Sequence, residues 1–247
     1  MNSSVSTPQS WFERVPAAAR AHTPSEGPAH DFQHALRVAR NAEQIAAREG
    51  AREDITVAAA LLHELFNYPK NHPESARSGE VCAERADVLL MELGCPVEER
   101  AAIAACIRDH SFSKGVVPES LEARVLQDAD RLDAVGAIGI ARCFATCGEL
   151  GQTFYQPEDP FCGEREPNDR LYGVDHFFRK LLRIESRLNT DTARAMVRER
   201  IEYMWEFLAQ LQRELDPLAP SPREQRRAQI TTAAGPGPLA PADPSTA

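Results

Sequence analysis

Apolar residues recur at helical spacing in one segment of this chain after another, and glycine or proline punctuates the segments. From Asp31 onward, Ala35, Leu36, Val38, Ala39, Ala42 and Ile45 form a single stripe. Asp31 is a suitable N-cap, and Glu49-Gly50 supplies the stop. A second helix is predicted from about Asp54 to Leu65, nearly all Ala, Val and Leu on one side, and therefore central and buried. A third covers roughly Glu74 to Leu93 and ends at Gly94, and Pro96 suits the first turn of a fourth that runs to about Asp109. Pro118 opens a fifth, on which Leu121, Val125, Leu126, Ala129 and Leu132 face inward. On that helix Asp130 and Asp133 share a face. Two more are predicted at about 173–187 and 191–215, the last with Ile201, Met204, Trp205, Leu208, Leu211 and Leu215 as its core stripe. No segment alternates as a strand does, so the expected architecture is an all-α bundle.

Residues 1–27, rich in Ser, Pro and Ala, read as a loose arm whose Trp11-Phe12 pair docks on the body. The helical domain then spans about 28–216. From 217 to 247 the chain is Pro, Ala, Ser and Gly with almost no core-forming residues, so disorder is expected. Three loops interrupt the helices: Asn67 to His72, His110 to Gly115, and a long Gly-, Pro- and acid-rich stretch at 148–172. The aromatics Phe154, Tyr155 and Phe161 in that last stretch favour an ordered flap that excludes bulk solvent.

A hydrophobic share of 43% supports a sizeable core. The net charge of -9 argues against stable binding to nucleic acid or anionic lipid. No run approaches the roughly 18 apolar residues of a membrane span, and the N-terminus lacks the pattern of a signal peptide. The six cysteines (82, 95, 106, 143, 147 and 162) include no CxxC pair and sit mostly among apolar helical residues. They read as reduced core thiols of a cytoplasmic protein.

Four polar positions stand out against this apolar background: His34, the adjacent pair His63-Glu64, and Asp130. His63-Glu64 ends a nearly uncharged helix, and Asp130 lies among Ala129, Leu132 and Ala134. Polar groups in such places are costly unless paired or coordinated. Imidazole and carboxylate together make a mixed N/O set suited to Mn, Fe, Ni, Co or Zn with positions left open for water. A helical bundle can bring such ligands together from distant parts of a chain.

The surrounding residues carry a family resemblance. They read His30-Asp31-Phe32-Gln33-His34, Asn71-His72-Pro73, His110-Ser111-Phe112-Ser113, and the run from Gln127 to Gly139 that contains Asp128-Ala129-Asp130-Arg131-Leu132-Asp133. Glu158-Asp159-Pro160-Phe161 and Asp175-His176-Phe177 follow. This pattern resembles the HD-domain superfamily of metal-dependent phosphohydrolases, and within it a bacterial subgroup of uncharacterised hydrolases. The resemblance spans about His30 to Leu211 and implies that His34, His63, Glu64 and Asp130 are the metal ligands. His30-Asp31 looks like the naming motif but lies upstream of the first ligand. Glu64 stands where the family has Asp. Its carboxylate reaches one methylene further and approaches from another angle, and a displacement near 1 Å can cost roughly a hundredfold in rate.

If the reaction is phosphoester hydrolysis, cations must hold the phosphate and a proton donor must meet the leaving oxygen. Arg37, one turn beyond His34, and Lys70, in the loop after the ligand pair, are candidates for phosphate contact. His72 and His110 are candidate donors or ligands of a second metal. Asp133 is either an acid–base group near the substrate or the partner of Arg37 or Arg131. The expected function is hydrolysis of a small phosphorylated metabolite, such as a nucleotide, by metal-activated water with Glu64 taking part. Two alternatives stay open: a ligand-binding or regulatory module silenced by Glu64, and a di-iron oxygenase of the same fold.

Overall fold

The structure, a computed structural model, describes residues 9–24, 31–68, 72–110 and 117–226. Among these it is all-α, as the periodicity predicts. Nine α-helices follow in order: α1 (Trp11–His22), α2 (Phe32–Glu49), α3 (Glu53–Leu62), α4 (Ser78–Glu92), α5 (Val97–Asp109), α6 (Leu121–Asp133), α7 (Gly136–Glu149), α8 (Gly173–Arg179) and α9 (Asp191–Leu215). Short 3-10 turns at Ser75–Arg77 and Leu181–Arg187 lead into α4 and follow α8. No described helix is long and apolar enough to cross a membrane.

α3 is the hub. Ile55, Thr56 and every residue from Ala58 to Leu62 are buried, because α1, α2, α5 and α6 surround it. Its small side chains let those neighbours approach closely. A similar demand acts at Gly79, where a Cβ would sit 2.7 Å from the Arg108 carbonyl oxygen, so glycine permits the α4–α5 contact. Polar ties fix the register of three long helices. Asn41 of α2 donates to the Ala129 carbonyl of α6 at 3.1 Å and accepts from Arg200 of α9 at 2.9 Å. Asp128 is buried, with Arg131 Nη1 4.0 Å away, and it accepts from the backbone and side chains of Asn189 and Thr190, which open α9.

Several boundaries differ from the sequence reading, among them the helix predicted at 173–187, which is α-helical only over Gly173–Arg179 and continues as 3-10 over Leu181–Arg187. The N-terminal arm is a helix over Trp11–His22, fixed by a capping box between Ser10 and Glu13, with Val15 and Ala19 buried. The second predicted helix stops at Leu62, one turn early, so His63 and Glu64 lie in the turn beyond its end. The Cys82 thiol meets the Leu62 and His63 carbonyls there, satisfying acceptors that the helix end leaves open. After Asp133, where the sequence reading assigned no helix, the separate helix α7 starts at Gly136, whose φ is +76°. The tail does not become disordered at 217. Residues 217–226 pack back on the body, with Arg223 paired to Glu202 and Arg226 over the Phe178 ring. The remainder of the predicted disordered segment, 227–247, lies outside the described residues.

The 148–172 stretch begins as the last turn of α7 and continues as an ordered loop. Asp175 of α8 receives both terminal nitrogens of Arg165, at 2.5 and 2.8 Å, and the backbone N–H of Asn168. A single bridge joins Thr153 and Tyr172. These bonds pin the loop against α7 and α8.

Candidate metal centre

His34 lies in the first turn of α2, where its backbone N–H donates to the capping carboxylate of Asp31 at 2.9 Å. His63 and Glu64 follow α3, and Asp130 comes from α6. The fold brings them together. The Nε2 atoms of His34 and His63 are 3.3 Å apart. Asp130 Oδ1 is 3.4 Å from His34 Nε2. One ligand atom from each of His34, His63 and Asp130 falls within 4.8 Å of the others. Glu64 joins them at the edge, with Oε1 3.6 Å from His34 Nε2 and 3.5 Å from His63 Nε2. His34, His63 and Glu64 are buried, whereas Asp130 is 26% exposed and marks the side open to solvent.

The other ring nitrogens decide what these atoms can do. His63 Nδ1 is 2.6 Å from the Ala60 carbonyl, which can only accept, so the proton sits on Nδ1 and Nε2 presents a lone pair. His34 Nδ1 is 2.7 Å from Asp133 Oδ2 and donates there in the same way. Both inward nitrogens therefore face carboxylate oxygens and each other. Such a set is repulsive unless a cation lies among its members, and its donors fit a divalent transition metal.

Electrostatics agree. Burial lowers the His63 pKa to about 4, leaving a neutral imidazole. Burial also opposes charge on His34, but the hydrogen bonds it donates to Asp130, Asp133 and Glu64 outweigh it and hold the pKa up at about 11. Without a metal, a proton takes the cation's place. Burial works against ionisation of Asp130, yet its hydrogen bond with His34 and the charge of His34 hold it well below the usual carboxylate range.

The sequence candidates around the ligands separate. Asp133 is not placed to touch substrate: His34 and Arg37 bind its oxygens, and Arg142 Nη1 adds a contact at 2.9 Å. Arg37 commits Nε and Nη2 to that carboxylate at 2.7 and 3.0 Å, so its fork is turned away from a phosphate role. Arg131, the other partner considered for Asp133, reaches instead to the Arg187 carbonyl. His110 packs its ring edge-on to His63, 5.1 Å between centroids, and gives Nδ1 to the Ile107 carbonyl at 2.6 Å. His72 stacks on Tyr68 and accepts from the Glu74 backbone N–H, apart from the metal-facing atoms. Lys70 lies outside the described residues, as do His30, Asn71 and Ser111–Ser113. Arg142 escaped the sequence reading because it belongs to no motif. A buried Asp133 needing cations was the only available hint.

Comparison with known proteins now places the chain. The HD domain model matches residues 31–135, which include all four candidate ligands. The chain belongs to the HD-domain superfamily. It is 36% identical over 194 residues to the uncharacterised protein YpgQ of Bacillus subtilis, covering 77% of this chain and 86% of the relative. The crystal structure of YpgQ in complex with ADP superposes with a TM-score of 0.63 at 32% identity, over 83% of this chain and 94% of that one. An HD-superfamily hydrolase from Bacillus thuringiensis gives a TM-score of 0.64 at 32% identity, over 82% and 95%.

Proposed function

We propose that this protein is a metal-dependent phosphohydrolase that acts on a small phosphorylated metabolite, a nucleotide foremost. The observation that carries the reading is the convergence of two imidazole lone pairs and two carboxylates, backed by the Asp133 and Ala60 acceptors that fix both rings. A divalent ion held by His34, His63, Glu64 and Asp130 supplies charge for a phosphoryl oxygen and acidifies water. Relatives described as HD-superfamily hydrolases support the reaction class, and the ADP complex of YpgQ supports a nucleotide as ligand.

In this reading water attacks phosphorus, the P–O bond to the leaving group breaks, and a site carboxylate, Glu64 foremost, accepts the water's proton. His110, whose Nδ1 is committed to the Ile107 carbonyl and whose ring packs against His63, is the candidate to give a proton to the leaving oxygen through Nε2. Lys70, six residues after Glu64 in the sequence, is the candidate phosphate contact. The 148–172 loop excludes bulk water from the bound substrate. The six cysteines are all unpaired, consistent with residence in the cytoplasm.

The test is release of phosphate or pyrophosphate from a panel of nucleoside mono-, di- and triphosphates with Mn, Co, Ni, Fe or Zn. Turnover that Asp130→Ala abolishes supports the proposal. A second reading rests on Glu64 in place of Asp: binding without turnover. Nucleotide binding with no product from any member of the panel would favour it.

A further inference from the structure

Glu64 has two carboxylate oxygens with different surroundings. Oε1 lies 3.6 Å from His34 Nε2 and 3.5 Å from His63 Nε2, facing the metal centre. Oε2 receives the side-chain amide of Asn67 at 2.5 Å. Only the NH2 end of that amide can face a carboxylate, since its oxygen would repel. Asn67 itself is exposed, in the loop that leaves the buried turn. A glutamate carries one more rotatable bond than an aspartate, so an untethered Glu64 would lose more freedom on binding a metal. We infer that Asn67 is a positioning residue for the metal centre. It takes up the extra methylene of Glu64, holds one oxygen, and turns the other toward the two imidazoles.

The inference rests on the proposal that these residues bind a divalent ion. It explains how Glu can occupy a position where a shorter acid would reach the same point unaided. The tether leaves a single oxygen of Glu64 facing the centre, which keeps room for water or a phosphoryl oxygen.

The experiment is a set of Co(II) affinities, by competition with a chromophoric chelator, together with visible spectra of the Co(II)-loaded proteins. The proteins are wild type, Asn67→Ala, Glu64→Asp, Glu64→Asp/Asn67→Ala and Glu64→Asp/Asn67→Gln, each checked for folding by circular dichroism. Asn67→Ala is expected to weaken binding about 10- to 100-fold and to shift the spectrum, as loss of a ligand's orienting partner does. In the Glu64→Asp background the same change should matter by no more than about twofold, because the shorter acid no longer reaches the amide. Glu64→Asp/Asn67→Gln moves one methylene from one side chain to the other and should regain the tether and the wild-type spectrum. Wild-type binding with Asn67→Ala unchanged, or an equal loss in both backgrounds, overturns the role of Asn67 alone. A wild-type protein that takes up no Co(II) overturns the metal centre and this inference with it.

Discussion

His34 Nδ1 and Asp133 Oδ2 stand 2.7 Å apart, so the imidazole facing the metal centre is held from behind by a carboxylate that Arg37 and Arg142 also grip. Asp133 fixes which nitrogen of His34 carries the proton. The arginines in turn hold Asp133 ionised: burial raises its pKa, but the hydrogen bonds from His34 and Arg37 and the charge of Arg142 lower it further. Asp133→Asn keeps the shape but loses that charge. Metal affinity should fall about 10- to 100-fold. The two arginines, 27% and 20% exposed, retain water, so stability should drop by only about 1–3 kcal/mol. Chelator competition and urea unfolding on one preparation read both effects.

Metal binding should release a proton. Metal-free His34 is protonated throughout the neutral range because its pKa is held up at about 11, and its Nε2 must lose that proton to bind an ion. A lower proton concentration therefore favours the metal, and affinity should rise about tenfold per pH unit between pH 6 and about 8.5. Titration calorimetry in buffers of different ionisation enthalpy counts the proton directly. A pH-independent affinity with no proton released would contradict the arrangement.

Asp128 and Asp130 are near neighbours on α6 with opposite duties. Asp128 accepts five hydrogen bonds from the start of α9 and touches no metal-facing atom. Asp128→Ala strands buried donors and should destabilise the fold by about 2–4 kcal/mol while leaving metal stoichiometry intact. Asp130→Ala should do the reverse. Thermal melts and elemental analysis of the two variants separate structure from site.

Leu62 is fully buried at the end of α3, one residue before the His63-Glu64 turn. Leu62→Ala opens a cavity there and should cost about 2–5 kcal/mol. Urea unfolding gives the stability, and a weakened Co(II) signal at a temperature where the variant is still folded would show that the turn depends on the packing beneath it.

Much of this was legible in the sequence, and the failures share a cause. α2 announced itself because Asp31 and Gly50 carry local capping chemistry at both ends of a clear apolar stripe. The candidate ligands His34, His63, Glu64 and Asp130 were legible as polar groups in apolar helical surroundings, and the fold brings them together. Helix α7 was not legible, because it opens on the left-handed Gly136 with no side-chain cap to announce it. Nor was the N-terminal helix, whose interior Pro16 and short apolar face hide it in a Ser/Pro/Ala-rich stretch. Arg37 was placed on the right face, and its pairing with Asp133 was one of the alternatives the sequence left open. Whether an arginine meets a phosphate or a carboxylate depends on how α2, α6 and α7 pack, and no local pattern encodes that.

The most direct measurement is the metal content of the gently purified protein by elemental analysis, with Asp130→Ala prepared in parallel. The account requires one or two divalent transition-metal ions per wild-type chain, lost in the variant while its circular dichroism is unchanged. Two irons with a visible chromophore would keep the centre but move the chemistry to oxidation. A wild-type chain that holds no metal, even after reconstitution with manganese, iron or nickel, would contradict the account at its root.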